Sequence, residues 1–227
     1  EASVEFLETP DERFLDLQGH RFAPHFHGVD PSGLRMHYVD EGPRAAAPVP
    51  MLHGEPSWSY LYRAMIPDCV AAGHRVIAPD LVGFGRSSKP VRPSDYSYQR
   101  HCDWRRAFVE GLDLHGITLF CQDWGSLLGL RLAAELDARF DRIVVGNGFL
   151  PTGTPPGGGG LSSLGNGLAF LAWRSFARFV PRLPIGRILQ TGTARRLDAE
   201  ELRAYEAPFP DERYKAGARV FPRLVPI

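Results

Sequence analysis

The chain has 227 residues, which suits one folded core carrying a sizeable insertion. Its 26 lysines and arginines balance 26 aspartates and glutamates, so no net field gathers nucleic acid or an anionic membrane surface. Apolar residues at 44% and charged residues at 23% are ordinary globular values, and 24 glycines with 20 prolines stay below the range of disordered tracts. Cys69, Cys102 and Cys121 are an odd number at irregular spacing, which fits neither a disulfide framework nor a metal-binding knuckle and reads as reduced thiols in a cytoplasmic protein. The stretch from Glu1 through Arg21 is charged and lacks the apolar core of a secretory signal, and no apolar run approaches the ~18 residues of a membrane span.

From residue 35 to 147 short β-rich runs alternate with helical periodicities, the pattern of βαβ units and a mostly parallel sheet. Residues 35–39 alternate with period two, as a half-buried strand does. Residues 48–52, 76–78, 117–121 and 143–145 are short apolar runs that read as buried strands, each ending near Gly, Pro or Asp. Helices are expected over 58–72, 98–112 and 125–136. The segment 151–160, Pro-Thr-Gly-Thr-Pro-Pro followed by four glycines, can hold neither helix nor ladder strand and reads as a linker. From 161 to about 205 the pattern is helical throughout. Phe170, Trp173, Phe176 and Phe179 fall at spacings of three, and Asp198-Ala199-Glu200-Glu201 offers a helix start. Residues 1–150 are thus expected as the core, 151–215 as linker plus helical cap, and 216–227 as a return toward the core.

The most informative segment is Ile117 to Leu130, in which a strand runs through Gln122-Asp123-Trp124-Gly125-Ser126 into a helix. That is the context of a nucleophile elbow, a strained turn that pushes one side chain out at the C-terminal edge of a sheet. Cys121 and Gly125 supply small residues on either side, and Asp123 stands where the nucleophile would. Asp123 could equally be the N-cap of the helix that follows. His53-Gly54-Glu55-Pro56-Ser57-Trp58 follows another apolar strand, where hydrolases of this architecture carry an oxyanion loop. Gly83 and Gly85 lack the third glycine of a dinucleotide loop and read as a structural turn. Trp58 and Trp104 read as core or rim.

These three segments, HGEPSW at 53–58, DLVGFGRS at 80–87 and CQDWG at 121–125, resemble the haloalkane dehalogenases of the α/β-hydrolase superfamily, in the subfamily that pairs two tryptophans around a halide. Residues 207–211 and 221–225 are similar to the end of that family's cap. The resemblance implies hydrolytic dehalogenation through an alkyl ester on Asp123, with the backbone N–H groups of Glu55 and Trp124 as oxyanion hole. It also implies indole donors from Trp124 and Trp173 for the halide and a substrate pocket walled by Leu127, Phe170, Pro222 and Val225. For Trp173 and the pocket residues, core packing predicts the same side chains. No cofactor and no metal are implied. The partners are a small apolar halogenated substrate, water and halide, without nucleic acid or membrane, and the expected state is a monomer.

The bare chemistry agrees, because a carboxylate ionised at neutral pH can displace a leaving group from an sp³ carbon without a base to activate it. The order nucleophile, acid, histidine expected of this fold is interrupted, however, since all eight histidines precede Asp123 and Asn147 stands where one acid could lie. The sequence is accordingly expected to be a piece lacking the last two βα units, roughly 60 residues, and to be inactive in turnover by itself. Epoxide hydrolysis is the competing enzymatic reading. It needs cap tyrosines, for which Tyr205 and Tyr214 are available, whereas Glu55 and the Trp124/Trp173 pair favour halide. Fluoroacetate-type dehalogenation expects an arginine directly after the nucleophile, where Trp124 stands. A non-catalytic remnant of the fold is the reading of a different class, argued by the absent histidine.

Overall fold

The period-two run at Arg35 and the apolar runs at Pro48, Val76, Ile117 and Ile143 all fold as strands of a single sheet. The computed structural model of the chain describes residues 4–148 and 161–225. In chain order the elements are β1 (Phe6–Leu7), β2 (His25–Gly28), β3 (Arg35–Glu41), β4 (Pro48–Leu52), α1 (Met65–Ala71), β5 (Arg75–Pro79) and β6 (Lys89–Pro90). They continue with α2 (Tyr98–Gly111), β7 (Ile117–Cys121), α3 (Trp124–Glu135), β8 (Phe140–Val145), α4 (Leu161–Phe179), α5 (Ile185–Thr191), α6 (Ala199–Glu206) and α7 (Ala216–Leu224). Among the described residues six strands form one sheet in the order β2-β3-β5-β4-β7-β8. The strand β3 is antiparallel to both neighbours, and β5, β4, β7 and β8 are mutually parallel. This is an α/β architecture with a mostly parallel sheet, and the β1–β6 pair stands apart as a short antiparallel ribbon.

Central β5 is buried on both faces, with Val76, Ile77 and Ala78 fully enclosed, as a covered parallel strand requires. Because β4 and β7 are parallel neighbours, with Leu52 opposite Cys121, the loops that leave them lie side by side beyond the carboxyl ends of the strands. Open α/β sheets place their ligands there.

Three expectations are corrected. Ile143, Val144 and Val145 form a strand but are 47%, 47% and 45% exposed. Among the described residues β8 pairs with β7 on one side only, so the run is an edge strand rather than a buried one. The helix expected over 58–72 begins as a 3₁₀ turn, Ser59–Tyr62, ahead of α1. Asp80 takes the Ser59 N–H at 2.7 Å and Leu52 accepts the Tyr62 hydroxyl at 2.8 Å, so tertiary bonds replace the helical ladder. The stretch expected to be helical throughout 161–205 is interrupted and divided into α4, α5 and α6, since Pro181 and Pro184 cannot donate to a helical ladder and a second break follows Gly192. The linker 151–160 lies outside the described residues.

The helices of this second half are fastened by local chemistry. Asp198 and Glu201 form a capping box at the start of α6 (2.8 and 3.2 Å), as the Asp198-Ala199-Glu200-Glu201 run foretells. Arg219 of α7 donates to the carbonyls of Ala177 (3.2 Å) and Val180 (2.8 Å), placing a cation on the carbonyl end of α4. α7 therefore holds the helix that carries Phe170 and Trp173.

Candidate active site

Asp123 sits between β7 and α3 with φ +49° and ψ −127°, a conformation that a non-glycine residue adopts only when its surroundings enforce it. Those surroundings are visible. Its N–H donates to Asn147 O (3.3 Å), while its carbonyl accepts the Ser126 N–H (2.9 Å) and the Ser126 hydroxyl (2.6 Å). Gly125 cannot carry a side chain, because a Cβ there would overlap the carbonyl of Leu52, and Cys121 is small and fully buried. The Asp123 side chain makes no N-cap hydrogen bond to α3. Its Oδ1 instead accepts the Glu55 N–H at 2.8 Å, and the Trp124 N–H also supports the ionised form. Burial outweighs both donors and raises the carboxyl above its ordinary value.

The loop after β4 brings the Glu55 N–H to that oxygen because residue 54 is glycine; a Cβ at Gly54 would overlap the Asp123 side chain. His53 braces the loop from within. Its Nε2 accepts the Leu81 N–H (2.9 Å), so Nδ1 carries the proton and donates to Gly54 O (2.9 Å). Burial lowers His53 to about 4, so it stays neutral, with both nitrogens engaged away from Asp123. The Glu55 side chain is pushed well above its ordinary value by burial and then by the neighbouring Asp123 charge, both of which favour its protonated form.

A cavity of about 370 Å³ opens over this turn. Asp123, Glu55, Trp124, Leu127, Phe170, Trp173, Pro222 and Val225 all line it, so the structure brings together all eight site residues expected from the sequence. Trp124 is buried against Phe221 of α7 (ring centroids 4.5 Å apart) and Trp173 stacks on Phe176 (5.9 Å). The remaining aromatics of the α4 row, Phe176 and Phe179, are exposed, so this row is not a core stripe.

The four tryptophans divide cleanly. Trp58 donates its indole N–H to Ala204 O (3.1 Å) and Trp104 donates to Asp30 (3.2 Å). Among the described residues neither Trp124 nor Trp173 has a protein acceptor for its indole N–H, and these are the two that line the cavity.

Other residues fall elsewhere or were missed. None of the eight histidines lines the cavity, and neither do Tyr205, packed edge-on to Tyr60 at 5.1 Å, and Tyr214. Gln122, Asn147, Ile188, Leu189 and Thr193 line it without having been assigned to it. Gln122 could have been suspected from its place beside the elbow. Asn147, at φ +49°, is an αL position that Asn tolerates. The α5 residues carry no signal because a helical texture over 161–205 does not tell which of its side chains turn toward the elbow. Among the described residues no group of three His, Cys, Asp or Glu could hold a metal ion, and no helix is long and apolar enough to cross a membrane.

The family profile of the alpha/beta hydrolase fold matches residues 47–182. A haloalkane dehalogenase of Mycolicibacterium paratuberculosis is 55% identical over 97% of this chain and 71% of its own length. One from Psychrobacter cryohalolentis is 54% identical over 98% of this chain and 72% of its own. Among solved structures, the tetrameric haloalkane dehalogenase DpaA from Paraglaciecola agarilytica superposes with a TM-score of 0.86 at 38% identity, covering 98% of this chain and 72% of that one. With the elbow, the adjoining glycine loop and the overlying cavity in place, the chain belongs to the haloalkane dehalogenase family of the α/β-hydrolase fold.

Proposed function

We propose that this protein cleaves carbon–halogen bonds of small haloalkanes by hydrolysis, with Asp123 as the nucleophile. The observation that carries this reading is the pair of indoles, Trp124 and Trp173, that among the described residues have no protein acceptor and line the same cavity as a carboxylate no described cation neutralises. A halide expelled into that cavity needs donors without a formal positive charge, which would hold the ion too long, and two indole N–H groups supply them. In the first step an Asp123 oxygen forms a bond to carbon as the carbon–halogen bond breaks, and the halide leaves with the electron pair. The ester carbonyl oxygen is then Oδ1, already under the Glu55 N–H at 2.8 Å. Attack of water on Cγ turns that oxygen into an oxyanion, and the N–H groups of Glu55 and Trp124 are preorganised to receive the charge. Loss of the alcohol and of one proton from the water restores the carboxylate, and the sum is R–X plus water to R–OH, halide and a proton.

The second step needs a base for that water. His53 is neutral and engaged at both nitrogens, and no histidine of this chain lines the cavity. The chain taken by itself is therefore proposed to alkylate readily and to deacylate slowly, since a missing general base costs roughly 10² to 10⁴ in rate. Ion chromatography after mixing with 1,2-dibromoethane tests this: release of about one bromide per chain is expected in a burst, followed by slow turnover. Hydrolysis of an epoxide with no bromide released would support the competing chemistry, against which the placement of Tyr205 and Tyr214 outside the cavity already argues. The helices α4 to α7 act in this reading as a cap that closes the cavity over Asp123.

A further inference from the structure

The helix α4 presents apolar side chains on two opposite faces. Phe170 and Trp173 turn to the cavity over Asp123, and Ala177 is fully buried. On the other side Leu168, Leu171, Ser175 and Phe179 follow the i, i+3, i+7, i+11 spacing of a single stripe. Leu168, Leu171 and Phe179 are 67%, 52% and 70% exposed. A single exposed leucine is ordinary on a protein surface, but three bulky apolar side chains held out along one stripe mark a surface that meets something other than water.

The flank of that stripe is cationic. Residues 161–197 contain six arginines and no acidic residue, so the charge balance of the whole chain is not kept locally. Arg174 and Arg178 of α4 and Arg223 of α7 line an open cavity of about 250 Å³ with Leu171, Ser175 and Phe179. Among the described residues none of these three arginines has an acidic partner. The Arg178 guanidinium lies over the Phe179 ring, 4.8 Å from its centroid. Guanidiniums recognise phosphate oxygens through paired hydrogen bonds. An arginine whose stem lies along apolar surface while its charge stays in water suits the level of lipid headgroups.

We propose that this face of α4 docks onto an anionic phospholipid surface, with Leu168, Leu171 and Phe179 entering the boundary between headgroups and acyl chains and Arg174, Arg178 and Arg223 receiving lipid phosphates. An apolar stripe flanked by arginines is the pattern of a helix that lies in such an interface without crossing the bilayer, and no described helix is long and apolar enough to cross. A nucleic acid would meet the arginines but has no use for the apolar stripe. A second copy packed α4 on α4 would set like charges against each other. Docking here leaves the opposite face of α4 over Asp123, beside a phase in which small haloalkanes concentrate; that consequence rests on the proposed function, whereas the docking does not.

Co-sedimentation with vesicles of phosphatidylglycerol and phosphatidylcholine, beside vesicles of phosphatidylcholine alone, tests the proposal. Wild type is expected to pellet with the anionic vesicles at low salt, to stay in the supernatant with the neutral ones, and to be released at about 1 M NaCl, where charges are screened within about 3 Å. Replacing Arg174, Arg178 and Arg223 together by Gln is expected to weaken partitioning roughly 100-fold, at about 1 kcal/mol per arginine near the surface. Leu171→Ser combined with Phe179→Ser is expected to weaken it at least about tenfold, with circular dichroism still native. The lipid and salt dependence of wild type decides the question even if a variant fails to fold. Equal partitioning onto neutral and anionic vesicles, or full binding by the triple Gln variant, overturns the proposal. So does a rise in Tm with inorganic phosphate but no vesicle binding, or a dimer lost in the Ser variant without vesicle binding.

Discussion

Two aspartates stand just beyond the ends of parallel strands in the same sheet and are driven in opposite directions. Asp80 follows β5 and is fully buried; its oxygens accept from His37 Nδ1 (2.8 Å), the Ser59 N–H (2.7 Å) and the Arg86 N–H (2.8 Å). Burial alone would raise its carboxyl, but the His37 ring and these donors hold it well below the carboxylate range. Asp123 lies beyond β7 at the mouth of a cavity. Among the described residues two backbone N–H groups, of Trp124 and Glu55, oppose its burial, and burial prevails, so its carboxyl is raised. Saturation with donors, more than depth, separates a carboxylate that knits loops together from one with reactivity to spare.

Replacing each aspartate should give unlike losses. Asp123→Asn is expected to lower halide release by at least ~10⁴-fold, because the amide is a poor nucleophile, while circular dichroism stays native. Asp80→Asn should leave the cavity chemistry formally intact but cost about 3 kcal/mol in urea unfolding, since one oxygen of a saturated buried network is lost. The pH dependence separates the two further. Asp80 has a depressed folded value, so the stability it contributes is present above its unfolded pKa of about 3.9 and is lost as pH falls below that. Asp123 has a raised folded value, so folding favours its protonated form and the molecule loses that advantage as pH rises from the unfolded value through the folded one. Asp123→Asn should therefore melt above wild type at neutral pH.

Smaller effects sharpen the contrast. Trp124→Phe and Trp173→Phe keep an aromatic wall but remove a donor to the departing halide, and each is expected to slow alkylation about 10- to 100-fold, in line with one hydrogen bond to a charged group. The same changes at Trp58 or Trp104, whose N–H groups are taken by the protein, should affect stability and leave the halide dependence unchanged. Glu55→Gln should change alkylation less than about threefold, because the Glu55 group that meets Asp123 is the backbone N–H.

Much of the site was legible because it is local. HGEPSW directly follows β4 and CQDWG starts at the last residue of β7, and each places a tight turn with a small residue and a functional position within six residues. Gly54, Cys121 and Gly125 are readable as spacing even before the clashes that a Cβ at Gly54 or Gly125 would make are known. What spacing could not convey is adjacency: that β4 and β7 are neighbours, so that the Glu55 N–H meets Asp123, depends on sheet order. Ile143 to Val145 were misread as buried because apolar content is the same in an edge strand and a central one. The α5 side chains went unnoticed because their contribution depends on where Pro181, Pro184 and Gly192 divide the helical stretch. Arg105 shares the sequence texture of the surface arginine beside it, Arg106, and only packing reveals it as buried.

The most direct test of the central claim is peptide mapping by mass spectrometry after the chain is mixed with 1,2-dibromoethane. A bromoethyl group on Asp123, absent from Asp123→Asn and formed in step with bromide release, is the predicted result. An unmodified Asp123 accompanied by stoichiometric bromide release, or alkylation at other carboxylates with Asp123 untouched, would contradict the assignment of this aspartate as the nucleophile.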